Sequence, residues 1–197
     1  MTSGDYHRFV FDTERRRLVG DFDAMYRAED SEGFDSWHER DLRPLRKRLS
    51  LAVLDGYQWG RILDVGCGKG TLTHLLKKAN NRVVGVDSSE TAIRKARASF
   101  PDIDFRCLAM EEIGTIGESF DLAVVMGSFA YVERWPIVLE QLRETADWLY
   151  IAEYIPRDPI GFVKSIDQLV EEVSRHYVIQ TRVILDEEHC LLLARKT

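Results

Sequence analysis

Arg61-Ile62-Leu63-Asp64-Val65-Gly66-Cys67-Gly68-Lys69-Gly70-Thr71 passes from a short apolar run directly into an amphipathic segment, Leu72 to Lys78. The run, bounded by charge and glycine, reads as a buried strand, so the stretch predicts strand, tight turn and helix with no linker between them. Glycine at alternate positions 66, 68 and 70 allows positive φ and lets a ligand lie against bare main chain. The helix that follows opens with unpaired N–H groups that suit an anionic group.

Downstream, Arg82-Val83-Val84-Gly85-Val86-Asp87 reads as a second buried strand ending in a carboxylate. An acidic residue about 20 positions after a glycine loop accepts hydrogen bonds from ribose hydroxyls in nucleotide-binding βαβ units. Asp87 stands at that place. The dinucleotide pattern is G-x-G-x-x-G, whereas here Thr71 occupies the third glycine position. Asp64, before the turn, would repel a pyrophosphate and suits a ligand carrying an ammonium and a sulfonium. The turn therefore reads as a site for S-adenosylmethionine, with S-adenosylhomocysteine as the product.

Asp64-Val65-Gly66-Cys67-Gly68-Lys69-Gly70 matches D-x-G-x-G-x-G at every fixed position, and in this the chain resembles the class I S-adenosylmethionine-dependent methyltransferases. The resemblance runs from about Leu42 to the C-terminus. It implies a three-layer, doubly wound, Rossmann-like sheet of seven strands, mostly parallel, with the last strand inserted to form a C-terminal antiparallel hairpin. The residues read the same way. Ile103 to Leu108, Phe120 to Met126 and Trp148 to Tyr154 continue the alternation of strand and helix, and Tyr177 to Ile184 and His189 to Ala194 are joined by too short a turn for parallel pairing. Between the fifth strand and that hairpin, Asp158-Pro159 and Ser165 are alternative helix starts.

Before the first strand, residues 1–20 are polar and aperiodic and predict a loose arm. Phe22, Met25 and Tyr26 share a helical face that Glu29 to Gly33 breaks, Ser36-Trp37-His38-Glu39 reads as a capping box, and Leu42 to Val53 continue at helical spacing to a stop at Gly56. Pro44 fits only near the start of that helix, which places its first residue as early as Asp41. The chain is thus expected to be one domain, 1–197, with an N-terminal arm and helical cap over 1–40 and the core over 41–197. The aromatics Phe22, Tyr26, Phe34 and Trp37 either roof a cofactor pocket or pack the cap on the core.

A chain of 197 residues, 45% apolar and 30% charged, with a formal net charge of -6, has an ordinary globular composition and no general basic face for nucleic acid. The basic runs Arg15-Arg16-Arg17 and Arg40, Arg43, Arg46, Lys47, Arg48 could touch an anionic acceptor, although a solvated face is the commoner use of such runs. Three cysteines suggest a reduced, cytoplasmic setting, with Cys107 and Cys190 as small core residues. No metal-ligand spacing, signal-like segment or membrane-length apolar run occurs, so neither a metal nor a membrane is expected. The protein is expected to be a monomer or a homodimer.

In a doubly wound sheet ligands lie at the carboxyl ends of the strands. Asp64, Gly66, Cys67, Gly68, Gly70 and Thr71 would frame the methionine part, Asp87 and Ser88 the ribose, and Trp37 the roof. The resemblance places an aspartate for the adenine amino group after the third strand; this chain has Ala109 there, with Met110 and Glu111 as substitutes, and Met126, Gly127 and Ser128 beneath the sulfonium. For the acceptor, Glu153 and Tyr154 come first, Tyr131 and Glu133 second and His38 third, although a structural hydrogen bond or a rim charge is the commoner use of each.

Met126-Gly127-Ser128-Phe129 lacks the proline turn of base-modifying amino-methyltransferases. The compact frame resembles the small-molecule methyltransferases, and the Phe22 to Trp37 region resembles the nodulation-type N-methyltransferases. The expected acceptor is therefore an O or N atom of a small polar molecule: a sugar, an amino sugar or a natural-product intermediate. Two other readings stand beside it: a non-catalytic S-adenosylmethionine-binding partner subunit, and a nicotinamide-dependent oxidoreductase, which the sequence at 70–71 opposes.

Overall fold

The computed structural model describes residues 6–197. Its main sheet is built from β3 (Arg61–Val65), β4 (Arg82–Asp87), β5 (Asp104–Cys107), β6 (Phe120–Met126), β7 (Ala146–Tyr154), β8 (Tyr177–Leu185) and β9 (His189–Lys196), in the order β5-β4-β3-β6-β7-β9-β8. The first five run parallel, and β9 enters antiparallel between β7 and β8. Burial explains the sequence pattern of each strand. All of β3 after Arg61 is buried, as a strand covered on both faces must be, whereas β8 alternates buried or half-buried with exposed positions along the open edge.

Helices close both faces. α3 (Leu45–Asp55), α4 (Thr71–Leu76) and α5 (Glu90–Ser99) cover one; α6 (Trp135–Thr145) and α7 (Ile166–His176) cover the other. Ser89 caps α5 by accepting the Ala92 N–H at 3.1 Å, and of the two helix starts proposed before the hairpin it is Ser165 that caps α7, accepting the Gln168 N–H at 3.0 Å. Chain order reverses between β3 and β6, which leaves a crevice at their carboxyl ends.

The N-terminal region departs from its sequence reading. Residues 6–20 are folded, not loose: a short helix, α1 (His7–Val10), leads into a two-stranded ladder of β1 (Phe11–Asp12) and β2 (Arg17–Leu18), and Tyr6 and Val10 are buried. The part of the expected arm over residues 1–5 lies outside the described residues. α2 (Phe22–Glu32) continues through Glu29, and Gly33, at φ 73°, ends it. Glu29 is no breaker because its carboxylate is buried between two ammonium groups, Lys69 Nζ at 2.7 Å and Lys95 Nζ at 3.1 Å. The capping box at 36–39 does not form: Ser36–His38 is a single 3₁₀ turn, and the Ser36 hydroxyl donates to Glu29. α3 starts at Leu45, after Pro44, and leaves Leu42 exposed.

Two smaller expectations also fail. Cys107 is exposed at the end of the short strand β5, while Cys67 and Cys190 are buried. Gly70, assigned to cofactor contact, faces the core: a Cβ built on it would come within 2.5 Å of the Phe105 ring and 3.3 Å of Ala96. Its job is to let α4 leave the turn tight against β5 and α5, at a φ of 81°.

Gly70→Ala is therefore expected to lower unfolding free energy by about 2–4 kcal/mol, from overpacking and left-handed strain together. Urea denaturation measures it, and an unchanged midpoint would show that the helix simply shifts away.

Candidate functional site

The turn after β3 is held by its neighbour strand. Gly66 and Cys67 donate their N–H groups to the Val86 carbonyl at 2.8 and 2.9 Å. Gly68 donates to Asp87 Oδ2 at 2.9 Å, and the other oxygen of Asp87 accepts the Ser89 N–H at 2.9 Å. Gly66 and Gly68 both have positive φ, and the space a side chain would need is already taken. A Cβ at Gly66 would lie 2.7 Å from Ser128 Oγ, and one at Gly68 would lie 2.6 Å from Glu39 Oε1.

Glu39 is a site residue that the sequence reading took for a helix cap. Both its carboxylate oxygens accept the Lys69 N–H at 3.3 Å, and the Thr71 hydroxyl donates to one of them at 3.4 Å. Burial pushes its pKa up to about 7, against the lowering influence of Lys69. Asp64, 2% exposed, accepts the Thr73 hydroxyl at 2.6 Å and is likewise pushed up to about 7, first by burial and further by Asp87. Burial also raises Asp87. The one cation of the turn, Lys69, reaches away into the cap, where its Nζ meets Glu29 at 2.7 Å and Asp35 at 2.6 Å. The mouth of the turn is therefore acid-rich.

A cavity of about 920 Å³ opens against this turn. Asp64, Gly66, Cys67, Gly68 and Thr71 line it from the end of β3, and Asp87 and Ser88 from the end of β4. Met110 and Glu111 reach it after β5, Met126, Gly127 and Ser128 after β6, and Trp37 from the cap. One cavity thus gathers every residue proposed for cofactor contact except Gly70.

The acceptor candidates divide. Tyr131 lines the cavity with its ring against Trp37 and Phe22, both at 5.4 Å, and burial, with Glu153 adding to it, raises its phenol pKa. Tyr154 stands at the mouth, 46% exposed, with the His189 ring at 4.8 Å. His38 lines the cavity in a left-handed conformation, φ 47°. Glu153 does not reach the cavity wall. It is 2% exposed beneath the loop after β6, where Oε1 accepts the N–H groups of Ser128 and Phe129, both at 2.9 Å. Strand alternation turns its side chain under the sheet end while Tyr154 points out. Burial pushes its pKa up to about 7. Glu133 is exposed outside the cavity.

The sequence reading missed Tyr6, Phe11 and His189, which also line the cavity, and favoured a solvated face for Arg46, which lines it too. Tyr6 and Phe11 fall in a segment with no periodic pattern, and nothing local marks His189. Among the described residues no group of His, Cys, Asp or Glu is placed to hold a metal ion, and no helix is long and apolar enough to cross a membrane.

Residues 62–148 match a family model described as "Methyltransferase domain". The chain is 39% identical over 70 residues to a ubiquinone biosynthesis O-methyltransferase of Rhizobium etli, an alignment covering 34% of this chain and 28% of that protein. With a protein of the same name from Alkalilimnicola ehrlichii the identity is 30% over 130 residues, 61% of this chain and 53% of the other. The chain thus spans about half the length, or less, of these curated relatives. Among solved structures, the N-methyltransferase NodS of Bradyrhizobium japonicum WM9 in complex with S-adenosylhomocysteine superposes with a TM-score of 0.69 at 18% identity, over 87% of this chain and 97% of that one. That likeness is one of fold, and it agrees with the inserted strand and the glycine turn. Residues 62–148 of this chain thus form a methyltransferase domain, and its turn carries D-x-G-x-G-x-G at every fixed position.

Proposed function

We propose that this chain transfers a methyl group from S-adenosylmethionine to an O or N atom of a small molecule. The observation that carries the reading is the acid-rich mouth of the turn: Asp64, Asp87 and Glu39 converge there with Lys69 drawn off into the cap. Such a field repels a pyrophosphate and favours a donor that carries positive charge. The residues fit that group. Gly66 and Gly68 keep the main chain bare, and Asp87 has used only two of its four acceptor positions, leaving two for ribose hydroxyls. Met110 and Glu111 would face the adenine, and Glu39 the ammonium. When bound, S-adenosylmethionine supplies a methyl group on a sulfonium, already activated for displacement.

The chain's own contribution is then alignment and exclusion of water, worth on the order of 7–11 kcal/mol when two reactants are held in register. Tyr131, with its raised pKa, keeps its proton and serves as wall and hydrogen-bond donor. Burial lowers the His189 pKa, so the imidazole is neutral near pH 7 and able to take a proton from an acceptor hydroxyl. Of the acceptors expected from sequence, a natural-product intermediate suits this chamber better than a sugar, because Tyr6, Phe11, Phe22, Trp37 and Tyr131 wall it with rings. The name carried by the curated relatives, ubiquinone biosynthesis O-methyltransferase, supports a hydroxyl acceptor.

A metabolite extract incubated with isotopically methyl-labelled donor and followed by mass spectrometry tests the activity. A labelled small molecule is the expected result, and an extract without label at any enzyme concentration would contradict it. The role of Glu39 has its own check. Its carboxylate form must be present to meet an ammonium, so affinity for S-adenosylhomocysteine should rise as pH increases through about 7 and then level off. Glu39→Gln should shrink that step to what Asp64, also pushed to about 7, contributes, and weaken binding at pH 8 by about 1.5–3 kcal/mol, as for a hydrogen bond to a charged group. Calorimetric titration across pH reads both, and an unaltered profile in the variant removes Glu39 from the cofactor's contacts.

A further inference from the structure

The cavity is larger than the donor reading requires, and the part away from the glycine turn holds a charge that the donor does not explain. Arg46, in the first turn of α3, sends its side chain into that part and is half-buried there. Its charge acts on Tyr6 from the cap, Tyr131 from the loop after β6, His189 from the hairpin and, beneath that loop, the buried Glu153. The guanidinium therefore stands where the cap, the loop after β6, the end of β7 and the hairpin face one another. Among the described residues it has no carboxylate, carbonyl or hydroxyl partner within hydrogen-bond or ion-pair distance. Lys47, beside it, is used up: its ammonium donates to the carbonyls of His38 at 2.5 Å and Asp41 at 2.9 Å.

A guanidinium drawn out of water among rings is costly unless something pairs with it. The buried carboxylate Glu153 feels the Arg46 charge and has one oxygen without a partner, yet it lies beneath the loop and makes no ion pair with Arg46. An oxyanion entering through the mouth would meet the planar fork with two parallel N–H donors, the geometry that carboxylates and phosphates match best. The rings of Tyr6, Trp37 and Tyr131 beside it would hold a flat apolar body.

We propose that Arg46 anchors the methyl acceptor by an oxyanion, and that the acceptor is a flat, hydroxyl-bearing molecule carrying a carboxylate or similar anionic group. This deepens the methyltransferase reading and rests on it. Arg46 positions the acceptor's hydroxyl toward the glycine turn and discriminates against neutral analogues; it takes no part in the donor's binding.

The test uses the protein saturated with S-adenosylhomocysteine and titrated calorimetrically with 4-hydroxybenzoate and, separately, with 4-hydroxybenzamide, which has the same shape without the charge. The native protein should bind the carboxylate at least tenfold more tightly than the amide. Arg46→Gln should bring the two affinities together, Arg46→Lys should keep a reduced preference, and both variants should bind S-adenosylhomocysteine within twofold of the native protein. Equal affinities in the native protein, no binding of the benzoate, or a preference that survives in Arg46→Gln would each overturn the proposal. A native protein that fails to bind S-adenosylhomocysteine would bring down the donor reading itself, and that result comes from a separate titration.

Discussion

The carboxyl group of Asp87 ties together the working end of this molecule. It sits at the end of β4 and accepts the N–H of Gly68 from the turn after β3 and the N–H of Ser89 from the start of α5. The Ser89 bond is local to the turn, but the Gly68 bond needs β3 and β4 parallel in the register that pairs Val65 with Val86. The sheet fixes the carboxylate, the carboxylate fixes the turn, and the turn then sets the floor on which Glu39 and the rest of the cap settle. A side chain at Gly66 or Gly68 would break this chain of dependence at once, since Ser128 and Glu39 already fill the space.

The cap is held to this floor by a buried charge network and by an apolar cluster together. Glu29 receives both Lys69 and Lys95, Asp23 caps α5 by accepting the Thr91 N–H and the Ser89 hydroxyl, and the apolar cluster around Met25 and Tyr26 reaches Ala92 and Tyr131. Removing one member of a buried charge network strands its partner, which is more damaging than never having buried the pair. The same arrangement has an electrostatic consequence at the site. By pulling Lys69 into the cap, it leaves the glycine turn facing carboxylates alone, so the scaffold's own docking contacts bias which ligand the turn can accept.

What could be read from sequence was what depends on near neighbours in the chain. Strand, glycine turn and second strand follow from residues within a few positions of one another, and buried runs such as Phe120 to Met126 announce themselves. Glu39, Gly70, Glu153 and Arg46 were misread or passed over because their roles are set by residues far away in sequence. Gly70 belongs to a fingerprint but faces Phe105; Glu153 ends the right strand but points beneath the loop after β6. Arg46 sits in a basic run whose other members look equally solvated on paper. The folded segment at 6–20 gave no periodic signal because its helix and strands are too short to have one.

The central claim is that this acid-rich, glycine-spaced turn binds a positively charged sulfonium nucleoside and its product, not a dinucleotide. The most direct measurement is isothermal titration of the same protein with S-adenosylmethionine, with S-adenosylhomocysteine and with NADH. One-to-one binding of the first two and none of the third is the predicted result. Binding of NADH with neither sulfur nucleoside taken up would contradict the account.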